Sequence, residues 1–274
     1  MRRRSEFFLL VGFALAVLTT QDVFAELPRG SISSFALGGT PNLVSAGPLD
    51  MAINPALASC STYAVEVLAS RLHEMSDFDV AAGAAQYNYR CWSVGLVVNQ
   101  LVGLDYYAER NLLVAASVSP HRIWRLGVGI EHRRLEFGEG YGTVSTVAAS
   151  CGLMVRLNDK AAIALSGLNI NRPKFDSDDD PLPLAGQIAA TYIANSTLTI
   201  VFAHQIEERY PDRFCIGQQV TIVKDVDMLI GMTTEPFEIS GGLSLKLRGF
   251  NFEYAYRNNV YLGGTHRVGL RFSR

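Results

Sequence analysis

Alternation with a period of two residues constrains this chain more than any other feature. Trp124, Leu126, Val128 and Ile130 share one parity, and Arg125, Gly127, Gly129 and Glu131 share the other. Leu243, Leu245 and Leu247 oppose Ser244, Lys246 and Arg248. Phe250, Phe252, Tyr254 and Tyr256 oppose Asn251, Glu253, Ala255 and Arg257. Val268, Leu270 and Phe272 oppose Arg267, Gly269 and Arg271. Successive strand side chains point to opposite faces, so each segment has one apolar face and one polar or small face. Helical spacing does not fit these windows.

Pattern-matching gives about fourteen such segments, from 62–70 to 265–273. They include 91–99, 110–118, 123–133, 160–169 and 197–205. Strands of about 9–11 residues are what a tilted strand needs to cross a bilayer. The connections alternate long and short. Gln100 to Glu109, Arg134 to Gly142, Ile170 to Pro183, Ile206 to Asp212 and Asn258 to Gly264 read as long. Arg90, Ser119 to Arg122, Asn195-Ser196 and Lys224 to Val226 read as short, and Thr234 to Pro236 breaks the rule by being short. Long outward loops and short periplasmic turns mark an outer-membrane barrel. A soluble β-sandwich also alternates within strands, but it has no reason to alternate its loops. Trp92, Tyr106, Tyr107, Trp124, Tyr141, Tyr192 and Tyr261 lie near segment ends, as interfacial girdles require. The fold class expected is all-β: an antiparallel transmembrane β-barrel of about 14 strands with an N-terminal plug segment.

Targeting agrees. Arg2, Arg3 and Arg4 precede an apolar run from Phe7 to Leu18, and Val23 and Ala25 suit a signal peptidase. That run is shorter than the ~20 residues of a spanning helix, so 1–25 reads as a cleavable signal peptide rather than an anchor. The chain is 49% hydrophobic with 24 Gly, yet its apolar residues are dispersed after the signal. A helical membrane protein, which needs runs of roughly 18 or more apolar residues, is excluded. A formal net charge of -2 gives no footprint for nucleic acid. The localisation expected is the bacterial outer membrane, with its lipid as the first partner.

The stretch 26–61 does not alternate. It is rich in Gly, Ser, Ala and Pro, yet Ile32, Phe35, Leu37, Leu43, Leu49, Met51, Ile53 and Leu57 make it too apolar for a disordered tail. A barrel of this strand number has a lumen that needs filling. The stretch is therefore expected to fold back as a plug, and the barrel to occupy 62–274. Small residues at Gly95, Gly127, Gly129 and Gly269 would leave room for it. Lumen charges are expected at Glu66, Arg125, Glu131, Lys246, Glu253, Arg267 and Arg271, paired across strands or holding the plug.

The pair Gly38-Gly39, followed after a spacer by Asn54-Pro55-Ala56 and then Ala58, resembles the N-terminal signature of the PorV/PorQ-like outer-membrane proteins. That group is similar in architecture to the FadL-type hydrocarbon transporters. Leu57 stands where the group's pattern has Gly. The closing run from Tyr254 to the barrel-ending aromatic Phe272 also resembles the group, although Ser273-Arg274 follow. The resemblance implies a fourteen-stranded barrel with an N-terminal hatch. It makes Gly38, Gly39, Asn54, Pro55 and Ala56 the plug and pathway candidates. FadL-type members move hydrophobic molecules through the barrel wall, so one partner is a hydrophobic ligand. PorV-like members serve type IX secretion, so the alternative partners are cargo or translocon proteins.

Catalytic and metal constellations are not found. The five histidines form no H-x-x-x-H pair, and no G-x-S-x-G is present. The acidic run Asp176 to Asp180 lacks EF-hand spacing and reads as a solvated loop. Cys60, Cys91, Cys151 and Cys215 lack C-x-x-C spacing and read as packed small hydrophobes with an open disulfide state. Neither an enzyme nor a cofactor is expected.

Overall fold

A computed structural model describes residues 29–59, 61–75, 78–103, 107–138, 142–175 and 181–274. The signal at 1–25, Cys60 and the acidic run 176–180 lie outside the described residues. Fourteen strands form among those described: β1 (Tyr63–Arg71), β2 (Phe78–Tyr89), β3 (Trp92–Gly103), β4 (Tyr107–His121), β5 (Trp124–Phe137), β6 (Thr143–Arg156) and β7 (Ala161–Leu168), then β8 (Ala185–Ile193), β9 (Leu198–Glu207), β10 (Tyr210–Val223), β11 (Val226–Thr233), β12 (Glu238–Leu247), β13 (Phe250–Asn259) and β14 (Gly263–Ser273). Each pairs antiparallel with its sequence neighbours, and β1 pairs with β14 to close the barrel. The closing ladder runs from Ala64↔Ser273 to Arg71↔His266. Tyr63 N and Arg274 N each donate to the other residue's carbonyl oxygen, at 3.1 and 3.0 Å. Both ends of the barrel thus share one rim, termed proximal here.

Alternation decides which residues face in. Along β1, exposed Tyr63, Val65 and Val67 alternate with buried Ala64, Glu66 and Leu68. Along β5, Val128 and Ile130 stand 62% exposed while Gly127 and Gly129 are buried. So many exposed aliphatic side chains would be an aggregation hazard in water, but they suit acyl chains. Tyr63, Tyr87, Tyr89, Trp92, Trp124, Tyr192 and Phe250 expose their rings at the proximal ends of their strands, as an aromatic girdle does. Phe272 joins this girdle, its ring 4.8 Å from Phe250 and 5.9 Å from Tyr63. Tyr107 does not belong to a girdle: it packs against Phe137 at 5.7 Å, on the inward parity of β4. Tyr106 and Tyr141 lie outside the described residues, and exposed Tyr261 sits in the distal β13–β14 turn.

Proximal turns are tight. Arg248 and Gly249 both adopt positive φ, 47° and 90°, which matches the right-handed twist of a two-residue hairpin. At the distal rim the expected alternation of loop length is corrected. β3 runs on to Gly103 and β4 starts at Tyr107, so only 104–106 remain of a ten-residue expectation, and Glu208-Arg209 alone join β9 to β10. The strands run on through Gln100-Leu101-Val102 and Tyr107-Ala108-Glu109, where strict alternation of apolar and polar residues is lost, because ladder hydrogen bonds do not require it. Only 169–184 remains long.

The hydrophobic core lies inside the barrel. Ile32, Phe35, Leu37, Leu49 and Met51 pack with Leu68, Val97, Leu113, Val201 and Leu229 from the wall. A second cluster joins Leu43 and Leu57 to Met154, Ala164 and Ala203. Cys215 is buried within that second cluster, whereas Cys91 and Cys151 are exposed, and all three are free thiols.

A charge placed in the middle of the outer band tests this orientation. Val128→Arg is expected to lower stability in lipid vesicles by about 2–4 kcal/mol in urea unfolding, whereas Tyr89→Arg at the rim costs about 0–1 kcal/mol.

Candidate functional site

Residues 29–59 cross the lumen and touch most of the wall. Ser31 caps a short helix, α1 (Ile32–Ala36), by accepting a hydrogen bond from Ser34 N. Asp50 sits in a 3-10 turn, Pro48–Ala52, and is 1% exposed. Its carboxylate accepts from Ser31 N (2.9 Å), Ser31 Oγ (3.1 Å), Ser34 Oγ (2.6 Å) and Gly47 N (2.8 Å). A buried carboxylate needs such donors, and here they tie the two halves of the segment together. Sequence reasoning missed this hub, although Asp50 is the one acid between Leu27 and Thr62.

The wall makes room through its inward small residues. A Cβ on Gly95 would overlap Met51 Cε, one on Gly127 would overlap Ala56 N, and one on Gly152 would overlap Asn54 Oδ1. Across the lumen, a Cβ on Gly217 would lie 2.8 Å from Leu37 O, and one on Gly231 would overlap Gly38 N. A Cβ on Gly269 would lie 2.7 Å from Ile32 Cδ1, and one on Gly129 would lie 3.3 Å from Pro55 Cγ.

The motif residues occupy two opposite walls. Gly38 and Gly39 adopt φ of 77° and 83°, open chiefly to glycine. Ser240 Oγ lies 3.2 Å from Gly38 N, which it accepts from, and 2.9 Å from Ala36 O, to which it donates. Gln205 donates to Gly39 O at 3.3 Å. Asn54 donates from Nδ2 to Leu165 O on β7 at 3.0 Å and accepts from Ala56 N at 2.9 Å. This side-chain turn presses Pro55 and Ala56 against β5.

The inward charges hold this segment. Glu66 accepts from Leu49 N at 3.2 Å, and Arg125 donates to Ala58 O at 3.1 Å. Glu131 pairs with Arg29 at 3.6 Å and with Arg133 at 2.9 Å. Glu253 accepts from Ser33 Oγ at 2.6 Å and lies 3.7 Å from Arg271, which reaches Ser45 O at 3.4 Å. Arg267 lies over the Phe35 ring at 3.8 Å, and Arg257, missed in the sequence, lies over it at 3.9 Å. Lys246 stands apart: it pairs with Asp227 at 2.7 Å near the proximal rim.

Among the described residues the ladder between β6 and β7 is cut short. β7 spans 8 residues against 14 in β6, and their ladder stops at Cys151↔Gly167. Beyond it, Asn171 takes the place of a strand. Its Oδ1 accepts from Ala149 N and its Nδ2 donates to Val147 O, both at 2.8 Å. Ile170 N donates to Ala149 O at 3.0 Å.

The barrel has the fold of the monoaromatic hydrocarbon channels. It is similar to the CymD monoaromatic hydrocarbon channel, with a TM-score of 0.66 at 10% identity over 90% of this chain and 98% of that one. It is similar to the Pseudomonas putida toluene transporter TodX, with a TM-score of 0.60 at 10% identity over 89% and 96%. A Pseudomonas aeruginosa FadL homologue gives 0.60 at 10% identity over 90% and 96%. No family model and no curated protein matches the chain, so the PorV/PorQ-like resemblance rests on its motif residues alone.

Removing the Asp50 carboxylate should loosen the inner segment while leaving the wall intact. Asp50→Ala strands several buried donors at a local cost of about 3 kcal/mol. Limited proteolysis in detergent should then cut within 29–59, while the unboiled barrel keeps its fast gel mobility.

Proposed function

We propose that this chain is an outer-membrane channel for small hydrophobic molecules, with residues 29–59 as its plug. The observation that carries this reading is the likeness to hydrocarbon channels over about nine-tenths of the chain, 90% for CymD. The exposed aliphatic band and its proximal aromatic girdle support a place in a bilayer. The packed lumen supports selectivity against water-soluble solutes: Leu37, Leu49 and Leu57 of the inner segment are buried against the wall.

Under this reading, a hydrophobic solute uses the discontinuity between β6 and β7, where wall meets lipid. Asn54 is bonded to Leu165 of β7 and Ala56 packs beside it, so plug and wall are coupled at that strand. Gly38 and Gly39 anchor the far side of the plug on β11 and β12. Export through the 1–25 signal remains part of the proposal. The comparisons lend no support to a type IX secretion role.

Uptake measurements test the reading. Vesicles carrying the full chain should take up toluene faster than empty vesicles, with little gain for a hydrophilic sugar. Asn54→Ala should reduce toluene uptake severalfold, because removing the side-chain amide leaves Ala56 N without its acceptor and cuts the tie to Leu165 O. Deleting 29–59 should turn a poorly conducting barrel into an ion-conducting pore in planar bilayers. Unchanged toluene uptake in Asn54→Ala, together with unchanged conductance after the deletion, would sink the proposal.

A further inference from the structure

Strand register brings four polar side chains to one level on the outer face of β3, β4, β5 and β6. Gln100 pairs with Arg110, Arg110 with Arg134, and Arg134 with Ser145, each as direct ladder partners. Successive side chains alternate between faces, so these four share the outward parity of exposed Leu96, Leu112, Ile130 and Val147. Two residues nearer the proximal rim, Val98, Leu112, His132 and Val147 form the next outward level, all exposed. Leu96, Val114 and Ile130 follow below them. The polar level therefore borders the aliphatic band at its distal edge, where a bilayer passes from acyl chains to headgroups.

Charge within this level is not matched. Arg110 and Arg134 stand directly opposite each other, an arrangement in which like charges repel. One carboxylate serves both: Glu136 Oε1 lies 3.1 Å from Arg110 Nη1 and 2.9 Å from Arg134 Nε. Among the described residues no other acid pairs with either, so the group keeps a net positive charge. Elsewhere on the distal rim Arg71 is matched by Asp79 and Arg172 by Glu208, one to one. The side chains of Arg110 and Arg134 remain 52% and 48% exposed, which leaves part of each donor fork open to a ligand.

We propose that Arg110 and Arg134 hold the phosphate of a lipid headgroup in the distal leaflet, against the outside of the barrel. The inference rests on the membrane placement proposed above. The ladder sets the two side chains about 5 Å apart at Cβ, within reach of one phosphate. Guanidinium forks suit phosphate oxygens, and basic side chains at this depth attract anionic lipid. Gln100 and Ser145 extend the row with an amide and a hydroxyl for further headgroup oxygens. The acyl chains of the same lipid lie along Val98, Leu112 and Val147. A free phosphate ion makes no use of that aliphatic surface, and a lipid without phosphate leaves the charge unmatched.

The test titrates bisphosphorylated lipid A, the same lipid stripped of phosphate, and inorganic phosphate into the full chain in a nonionic detergent, with bound lipid counted by native mass spectrometry. The phosphorylated lipid should bind at least about tenfold more tightly than either of the others, a difference of about 1.4 kcal/mol. Arg110→Gln with Arg134→Gln should abolish that preference, whereas Arg71→Gln, whose charge Asp79 already matches, should leave it unchanged. Glu136→Gln removes the competing carboxylate and should tighten binding severalfold, a gain that a merely structural ion pair does not produce. Should the double variant fail to fold, the wild-type preference and the Glu136→Gln gain still decide the matter. Equal binding of the two lipids, equal binding of inorganic phosphate, an unchanged double glutamine variant or no gain in Glu136→Gln would each overturn the proposal. Failure of the membrane reading looks different: the chain would then stay out of phosphatidylcholine vesicles altogether.

Discussion

Closure of the sheet between β1 and β14 is the constraint from which the rest follows. A closed ladder leaves no unpaired strand edge, which is the condition for spanning hydrocarbon with strands. It also fixes the circumference. Fourteen strands enclose more space than their own inward side chains can fill. The protein answers with small wall residues and a folded-in stretch of its own chain. Ala115, Ala189, Ala203 and Ala255 are buried, and glycines stand where the inner backbone comes closest.

The lumen is therefore an ordinary protein core turned inside a lipid-facing shell. Leu37, Leu49 and Leu57 pack as they would in a soluble domain, and Asp50 and Asn54 beside them are hydrogen-bonded. Asp50 organises the inner segment from within, while Glu66, Arg125, Glu253 and Arg271 fasten it from without. Internal bonds set its shape, and wall bonds set its position. Gly38 and Asn54, the two ends of the motif, dock on opposite sides of the barrel, so the segment acts as a strut.

The barrel was largely legible in the sequence because one face of each strand meets lipid and must stay apolar. All fourteen segments correspond to strands, and 143–156 matches β6 at both ends. Legibility ended where that pressure ends. The distal extensions of β3, β4 and β9, such as Gln100-Leu101-Val102 and Tyr107-Ala108-Glu109, lack a clean alternation and read as loops. Gly95, Gly127, Gly129 and Gly269 were recognisable as inward small residues, but what faced them was not, since their neighbours lie far away in the chain. The Asp50 hub stayed hidden because serines and backbone amides form it, and neither has a distinctive spacing.

The carboxamide of Asn171 stitches the shell beside β6, where β7 has already ended. A seam closed by one side chain and one backbone bond, Ile170 N to Ala149 O, differs in kind from one closed by a strand. Unzipping a strand breaks many cooperative bonds, but a rotamer change at Asn171 releases only two. Each backbone group left bare costs about 1–3 kcal/mol, far less than parting two fully paired strands. The shell thus contains a built-in weak point beside β6, held by the Asn171 amide and the Ile170 N–H rather than by a ladder.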